Sequence, residues 1–267
     1  MKTNRRFLLM AIFGLAFTLT FSCHDGAGDD DGTTTGSNGS SSSRKGGGSS
    51  SSKKQNSSSS VGGGSSSSSS EYTGGSCDIN DYGTVNINGQ IWMAKNWGCY
   101  APGSKCYGNL PANCTKYGRL YSWATAMDID VKYDRELWGG NDVKHRGICP
   151  SGWHLPNNSE WSALISYVEN DKGCRDCAGN HLKSLNDWQS YEGIVNLDSY
   201  GFSALPGGGY IPHYVLFDGL STSGHWWSAS ETENGNSDPW GMDCNQGHTV
   251  EASFSKTYLF SVRCLKD

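Results

Sequence analysis

The amino-acid sequence predicts one α+β domain that is stapled by disulfides and follows a long polar tether. Three observations predict this class: an Asn-Gly hairpin signal, two stretches with the helical spacing of apolar residues, and a cysteine-rich C-terminal part. Residues 32–75 are almost entirely Ser, Gly, Thr, Lys, Arg and Asn, and such a segment buries too little apolar surface to fold. All ten Trp lie after it, so we assign the folded domain to residues 76–267.

The N-terminal segment has the pattern of a signal peptide, which we assign to residues 1–22. Lys2, Arg5 and Arg6 precede an uncharged apolar run over residues 7–21. A membrane-spanning helix needs about 20 apolar residues, whereas shorter runs behind positive charge are typical of signal peptides.

Cys23 follows Ser22 and resembles the cysteine of a lipobox, although Thr20 stands where that pattern prefers Leu. The resemblance implies that Cys23 is lipidated and begins a disordered tether over residues 23–75. The alternative is an ordinary secretory signal with an incidental cysteine. Acidic residues at 29–31 resemble a surface-export signal. We therefore expect a surface-exposed outer-membrane lipoprotein that is anchored in the membrane by its lipid. The tether, with a span of roughly 40 Å, is expected to hold the folded domain away from the membrane.

Charge and cysteine content narrow the class of protein further. The formal net charge is −5 and no basic stripe runs along the chain, so we expect no nucleic-acid partner. Ten Cys behind an export signal indicate an oxidising compartment.

The folded part begins with a predicted β-hairpin over residues 84–93. Asn88-Gly89 between alternating apolar residues is typical of a type I′ turn, in which both central residues need positive φ. Cys77 and Cys99 lie almost symmetrically about this turn, which predicts a disulfide at the open end of the hairpin.

Two short helices of about ten residues each are predicted next. The first has apolar residues at i, i+3, i+4 and i+7 from Leu120 to Met127. The second follows a capping-box pattern at Asn157 and Glu160. Cys106 and Cys114 enclose a short loop before the first helix, and we expect a local bridge between them.

The rest of the chain predicts small antiparallel sheets. Gly-rich and aromatic stretches alternate with turn residues, which favours short strands joined by long loops, and the last strand is expected to return beside the first hairpin.

Six strings in this order resemble the Fibrobacter succinogenes major paralogous domain. They are Gln90–Asn96, Tyr117–Trp123, Cys149–Pro156, Gly201–Gly208, Trp226–Ala229 and Phe260–Cys264. The resemblance covers residues 76–267 and implies a C-type-lectin-like fold, in the same fold group as formylglycine-generating enzymes. It also implies a bridge between Cys149 and Cys264, which would contribute about 4–5 kcal/mol in the loop-closure model. The family has no established activity.

Cys174, Cys177 and Cys244 remain, and this odd number predicts one free or intermolecular thiol. The Cys174-Arg-Asp-Cys177 spacing is compatible with a structural disulfide, with half a zinc site or with a redox pair.

An enzyme is not the favoured interpretation. His154 lies inside one of the family strings and is expected to be a buried structural residue. We see no GxSxG, HExxH or phosphate-binding glycine motif in the chain.

A ligand-binding or adhesive module is the favoured function, with polysaccharide as ligand. A cell-envelope protein partner is the alternative, and a formylglycine-type enzyme comes after it. The sequence establishes no cofactor, and Ca²⁺ is a candidate: one late polar loop carries oxygen ligands of the kind Ca²⁺ takes, or is simply solvated. Its candidate residues are Glu231, Glu233, Asn234, Asn236 and Asp238. We expect exposed aromatic contacts from Trp240, Tyr210 and Tyr214.

Overall fold

The computed structural model describes residues 75–140, 144–232 and 235–267. Its helices are α1 (Pro111–Tyr117), α2 (Trp123–Met127), α3 (Asn158–Lys172) and α4 (Ala178–Leu182). Its strands are β1 (Thr84–Ile87), β2 (Gln90–Met93), β3 (Trp153–His154), β4 (Gly207–Ile211), β5 (Leu216–Leu220), β6 (Ser223–Trp226), β7 (Trp240–Asp243), β8 (Val250–Glu251) and β9 (Leu265–Lys266). The α+β class is confirmed. The signal peptide and the lipidation of Cys23 lie outside the described residues, as do Glu233 and Asn234.

The predicted hairpin is confirmed together with its turn. β1 and β2 pair from Thr84–Met93 to Ile87–Gln90, and the turn residues Asn88 and Gly89 have φ of 51° and 85°. β9 pairs with β2 as expected, and β3 adds to its other edge, which gives the antiparallel order β1-β2-β9-β3.

The second sheet has the order β5-β4-β6-β7-β8 and is mixed, so the prediction of purely antiparallel sheets is wrong here. The chain reverses between β4 and β5 and again before β6, so β6 runs parallel to β4 and meets it at Gly208 and Gly224. A Cβ on Gly208 would lie 2.3 Å from the carbonyl oxygen of Asp218, so the close approach requires glycine.

The described residues form four α-helices, where two were predicted. α2 is shorter than expected, because Ser122 caps its N-terminus and Leu120 is in an isolated bridge with Lys105. α3 begins with the predicted capping box at Asn157 and Glu160 but extends to Lys172. The remaining helices, α1 and α4, are one or two turns long, too short for an apolar period to reveal.

Three predicted disulfides are confirmed. The structure joins Cys77 to Cys99, Cys106 to Cys114 and Cys149 to Cys264. Cys174 pairs with Cys177, which is the structural alternative for that motif. Cys244 is also disulfide-bonded, so of the two expectations for the odd cysteine the free thiol is wrong for the described cysteines, and an intermolecular bridge stays a prediction.

The interior holds two large apolar clusters with a polar network between them. One cluster packs Trp92 and Trp161 beneath the second sheet, and the other packs Trp123 and Trp227 against the Cys149–Cys264 bridge. Most of the residues that carry the family resemblance are thus interior residues, which leaves the loops as the place for a site.

Candidate ligand-binding groove

A groove of about 300 Å³ lies on the surface beside two of the disulfides. It is lined by Trp97, Tyr100 and Pro102 and by Asp128, Arg146 and Ile148. Cys99 and Cys149 also lie in its walls, and their bridges to Cys77 and Cys264 tie both walls to the fold. A wall fixed in this way loses little conformational freedom when a ligand binds.

Tyr100 supplies an exposed aromatic surface in this groove. Its side chain is 43% exposed, and the guanidinium of Arg119 lies 5.1 Å from the ring centre. Arg119 is itself buried, and its Nε donates to Ser104 Oγ at 2.9 Å. The tyrosine ring is therefore backed by a cation that other contacts hold in place.

The backbone beneath Tyr100 is fixed by a buried hydroxyl. Tyr121 donates from its hydroxyl to the carbonyl oxygen of Cys99 at 2.7 Å. Burial raises the pKa of Tyr121 well above its ordinary value, so the hydroxyl keeps its proton and stays a donor.

The groove also presents two charges. Asp128 ends α2 in the left-handed region, with φ of 56°, and its carboxylate lies 3.9 Å from Arg146 Nη2. Both side chains are more than half exposed, so this pair contributes little stability and remains open to a ligand. The neighbouring Ile148 donates its N–H to Ala126 at 3.0 Å, which attaches this part of the groove to α2.

Two of the aromatic residues expected to be exposed are buried instead. Trp240 is 8% exposed and stacks on Trp161 at 6.4 Å, because β7 turns that side chain toward α3. Tyr210 is 9% exposed and packs on Phe217 at 4.7 Å. The prediction of exposure is wrong for both, whereas Tyr214 is 69% exposed.

The predicted calcium loop does not offer Glu231 to a metal. Its carboxylate accepts N–H groups from Trp138 and Gly139, at 2.9 Å each, and contacts the ammonium of Lys256. The side chains of Glu231 and Lys256 are fully buried. A ligand for Ca²⁺ needs an accessible oxygen, so the carboxylate of Glu231 does not fit that role.

The rest of that loop is only partly buried. Asn236 is partly exposed, and its carbonyl accepts the N–H of Thr232 at 2.8 Å. Asp238 is also partly exposed. Burial of Glu251 raises the pKa of that carboxyl, and the negative charge of Asp238 raises it further.

One other side-chain cluster has the composition of a metal site. Within the described parts of the chain, Cys174, Cys177 and His181 form the one group of three His, Cys, Asp or Glu ligands that lie close enough together, within 4.8 Å. His154, in contrast, is 1% exposed and holds Asp267 and Glu160 at 2.8 and 2.9 Å, the structural role expected for it.

Tyr100, Asp128 and Arg146 were not predicted from the sequence. The Cys99-Tyr100-Ala-Pro-Gly string could have pointed to Tyr100, because it places an aromatic residue in a turn beside a disulfide. It carries no signal for Asp128 or Arg146.

Comparison with known proteins identifies the domain. The model of the Fibrobacter succinogenes major domain family matches residues 85–266, which is more than half of the chain. No curated protein and no solved structure matches the chain significantly. Within the described residues, no helix is long and apolar enough to cross a membrane. The chain therefore belongs to the Fibrobacter succinogenes major domain family.

Proposed function

We propose that this protein is a lipid-anchored cell-envelope protein whose domain binds polysaccharide in the groove beside Tyr100. The observation that carries the proposal is the tyrosine ring, which is exposed in the groove and backed by the buried Arg119. An aromatic surface that is fixed before the ligand arrives can receive a flat apolar face at little entropic cost.

The chemistry of a sugar unit fits the three side chains. A pyranose has a face of C–H groups, which packs on an aromatic ring, and a rim of hydroxyls. Asp128 can accept hydrogen bonds from such hydroxyls, and Arg146 can donate to them. The groove is open and about 300 Å³ in volume, which suits a few units of a longer chain better than a small enclosed molecule.

The location in the envelope is supported by the sequence alone. The apolar run at residues 7–21, Cys23 after Ser22, and the Gly/Ser-rich tether together favour a domain held off an outer membrane by a lipid. Mass spectrometry of the purified full chain should find Cys23 as the first residue with acyl groups attached.

The binding experiment uses the full chain in detergent and a panel of insoluble plant and microbial polysaccharides. We expect retention on at least one polymer, and we expect EDTA to leave it unchanged, because Glu231 is engaged in the interior. Absence of retention on every polymer would contradict the proposal. Loss of retention in EDTA would show that binding requires a divalent cation such as Ca²⁺.

A protein partner is the second candidate function, and a different surface favours it. Four apolar side chains are exposed between α4 and β4, where a monomer would gain from covering them. They are Leu185, Tyr191, Val195 and Leu197. A stoichiometric envelope partner that is lost in L185D and V195D, with polysaccharide retention absent, would favour this function.

A formylglycine-type enzyme stays the third alternative. It would require a reactive thiol, and each cysteine in the described part of the chain is disulfide-bonded. Turnover that depends on a thiol released by reduction would support it.

A further inference from the structure

A turn and a short helix bring two sulfurs and an imidazole together at the surface. Asp176 lies in the left-handed region, with φ of 58°, so the chain turns tightly between Cys174 and Cys177. Cys177 is the N-cap residue of α4, and His181 lies on that helix one turn further on. The two Sγ atoms and one ring nitrogen lie within 4.8 Å of one another.

We infer that Cys174, Cys177 and His181 form a redox-controlled site for a soft divalent metal such as Zn²⁺. Two thiolates and a neutral imidazole are ligands that zinc prefers, and three protein ligands leave a fourth position for water or a ligand. All three residues are partly exposed, so the ion has a path from solvent.

The histidine is held in an orientation that suits a ligand. Its Nδ1 lies 2.7 Å from Ser199 Oγ, and its carbonyl accepts the N–H of Ser199 at 2.8 Å. With the proton on Nδ1, Nε2 carries the lone pair that a metal needs.

The disulfide form excludes the metal, and reduction opens the site. An external dithiol reduces the Cys174–Cys177 bond to two thiols and is itself oxidised to a disulfide. The two thiols release two protons to solvent when they bind Zn²⁺ as thiolates. Among the four bridges with both cysteines described, this one spans 3 residues in sequence, against 8, 22 and 115, so the loop-closure model gives its opening the smallest effect on the stability of the fold.

The test uses the full chain before and after mild treatment with a dithiol. Alkylation and mass spectrometry should find label on Cys174 and Cys177 alone. The reduced chain should bind one Zn²⁺ in competition with a chromophoric chelator, and the oxidised chain none. With Co²⁺ in place of Zn²⁺, the reduced chain should show sulfur-to-cobalt charge-transfer bands and the visible bands of a tetrahedral ion.

His181→Ala should weaken zinc affinity by about tenfold or more and change the cobalt spectrum, and Ser199→Ala should weaken it less. His213→Ala, which removes an exposed histidine elsewhere, should change neither. Equal zinc affinity in His181→Ala and the parent chain would overturn the proposal. So would a reduced chain that binds no zinc, or a dithiol that opens the longer bridges before this one.

Discussion

Arg263 and Asn96 meet at one buried oxygen. Nε and Nη2 of Arg263 donate to Asn96 Oδ1 at 3.1 and 2.7 Å, and Trp226 Nε1 donates to the same oxygen at 2.8 Å. These residues come from three separate strings of the family pattern. Residues of these strings therefore form an interior hydrogen-bond network that joins the hairpin, the second sheet and the C-terminal segment.

Removal of this oxygen should destabilise the domain strongly. We expect Asn96→Ala to lower the free energy of unfolding by about 3 kcal/mol or more, because it leaves a buried guanidinium short of an acceptor. Urea unfolding followed by tryptophan fluorescence measures the change. The exposed neighbour Lys95→Ala is the matched control, expected within about 1 kcal/mol of the parent chain. Equal effects of the two substitutions would contradict the network.

The buried pair of Glu231 and Lys256 should depend on both of its members. Lys256→Met leaves the carboxylate of Glu231 buried without its cation, at a cost of about 3–5 kcal/mol. The double variant with Glu231→Gln should lose less than the sum of the two single variants. Urea unfolding of all four chains gives the coupling energy. Additive losses would show that the pair is not coupled.

His225 should make the fold sensitive to acid. Burial lowers its pKa to about 4 from 6.5, and its ring packs against Phe254 and Phe260 at 5.4 and 4.9 Å. Between these values the unfolded chain binds a proton that the folded chain does not. Stability is therefore full above about pH 6.5 and falls as the pH drops toward 4, by on the order of 3 kcal/mol.

The measurement for His225 is urea unfolding from pH 7 to pH 4 in the parent chain and in His225→Leu. The substitution should remove this part of the slope whatever it does to stability at pH 7. Parallel pH profiles for the two chains would show that His225 is not responsible.

The stability that each disulfide contributes should increase with the length of chain that it closes. In the loop-closure model, removal of Cys149–Cys264 costs about 5 kcal/mol and removal of Cys106–Cys114 about 2–3 kcal/mol. Paired Cys→Ala variants and urea unfolding test the order. Cys149 also lines the groove, so its loss should weaken retention on polysaccharide, whereas the other pair should not.

Local signals carried most of the correct sequence predictions. The Asn88-Gly89 turn and the capping box at Asn157 each depend on a few neighbouring residues, and both are found as expected. Burial of Trp240 depends instead on strand β7 facing α3, and sequence spacing does not encode that contact.

Sequence spacing also does not encode the contacts of the candidate site. The sequence predicts Glu231 as a polar loop residue, whereas the folded chain pairs it with Lys256, which is distant in sequence. The surface at Tyr100 depends on Arg119, which lies over the ring, and on Asp128, which lines the same groove. Such pairings arise only when the chain is folded.

The most direct test of the central claim compares two exposed tyrosines on a polymer that retains the full chain. Tyr100 lies in the groove, whereas Tyr214 is more exposed, at 69%, and lies outside it. We expect Tyr100→Ala to abolish retention or weaken it by about tenfold, and Tyr214→Ala to leave it unchanged, with both chains equally stable to urea. Retention that survives Tyr100→Ala, or that is lost in Tyr214→Ala instead, would contradict a polysaccharide site in this groove.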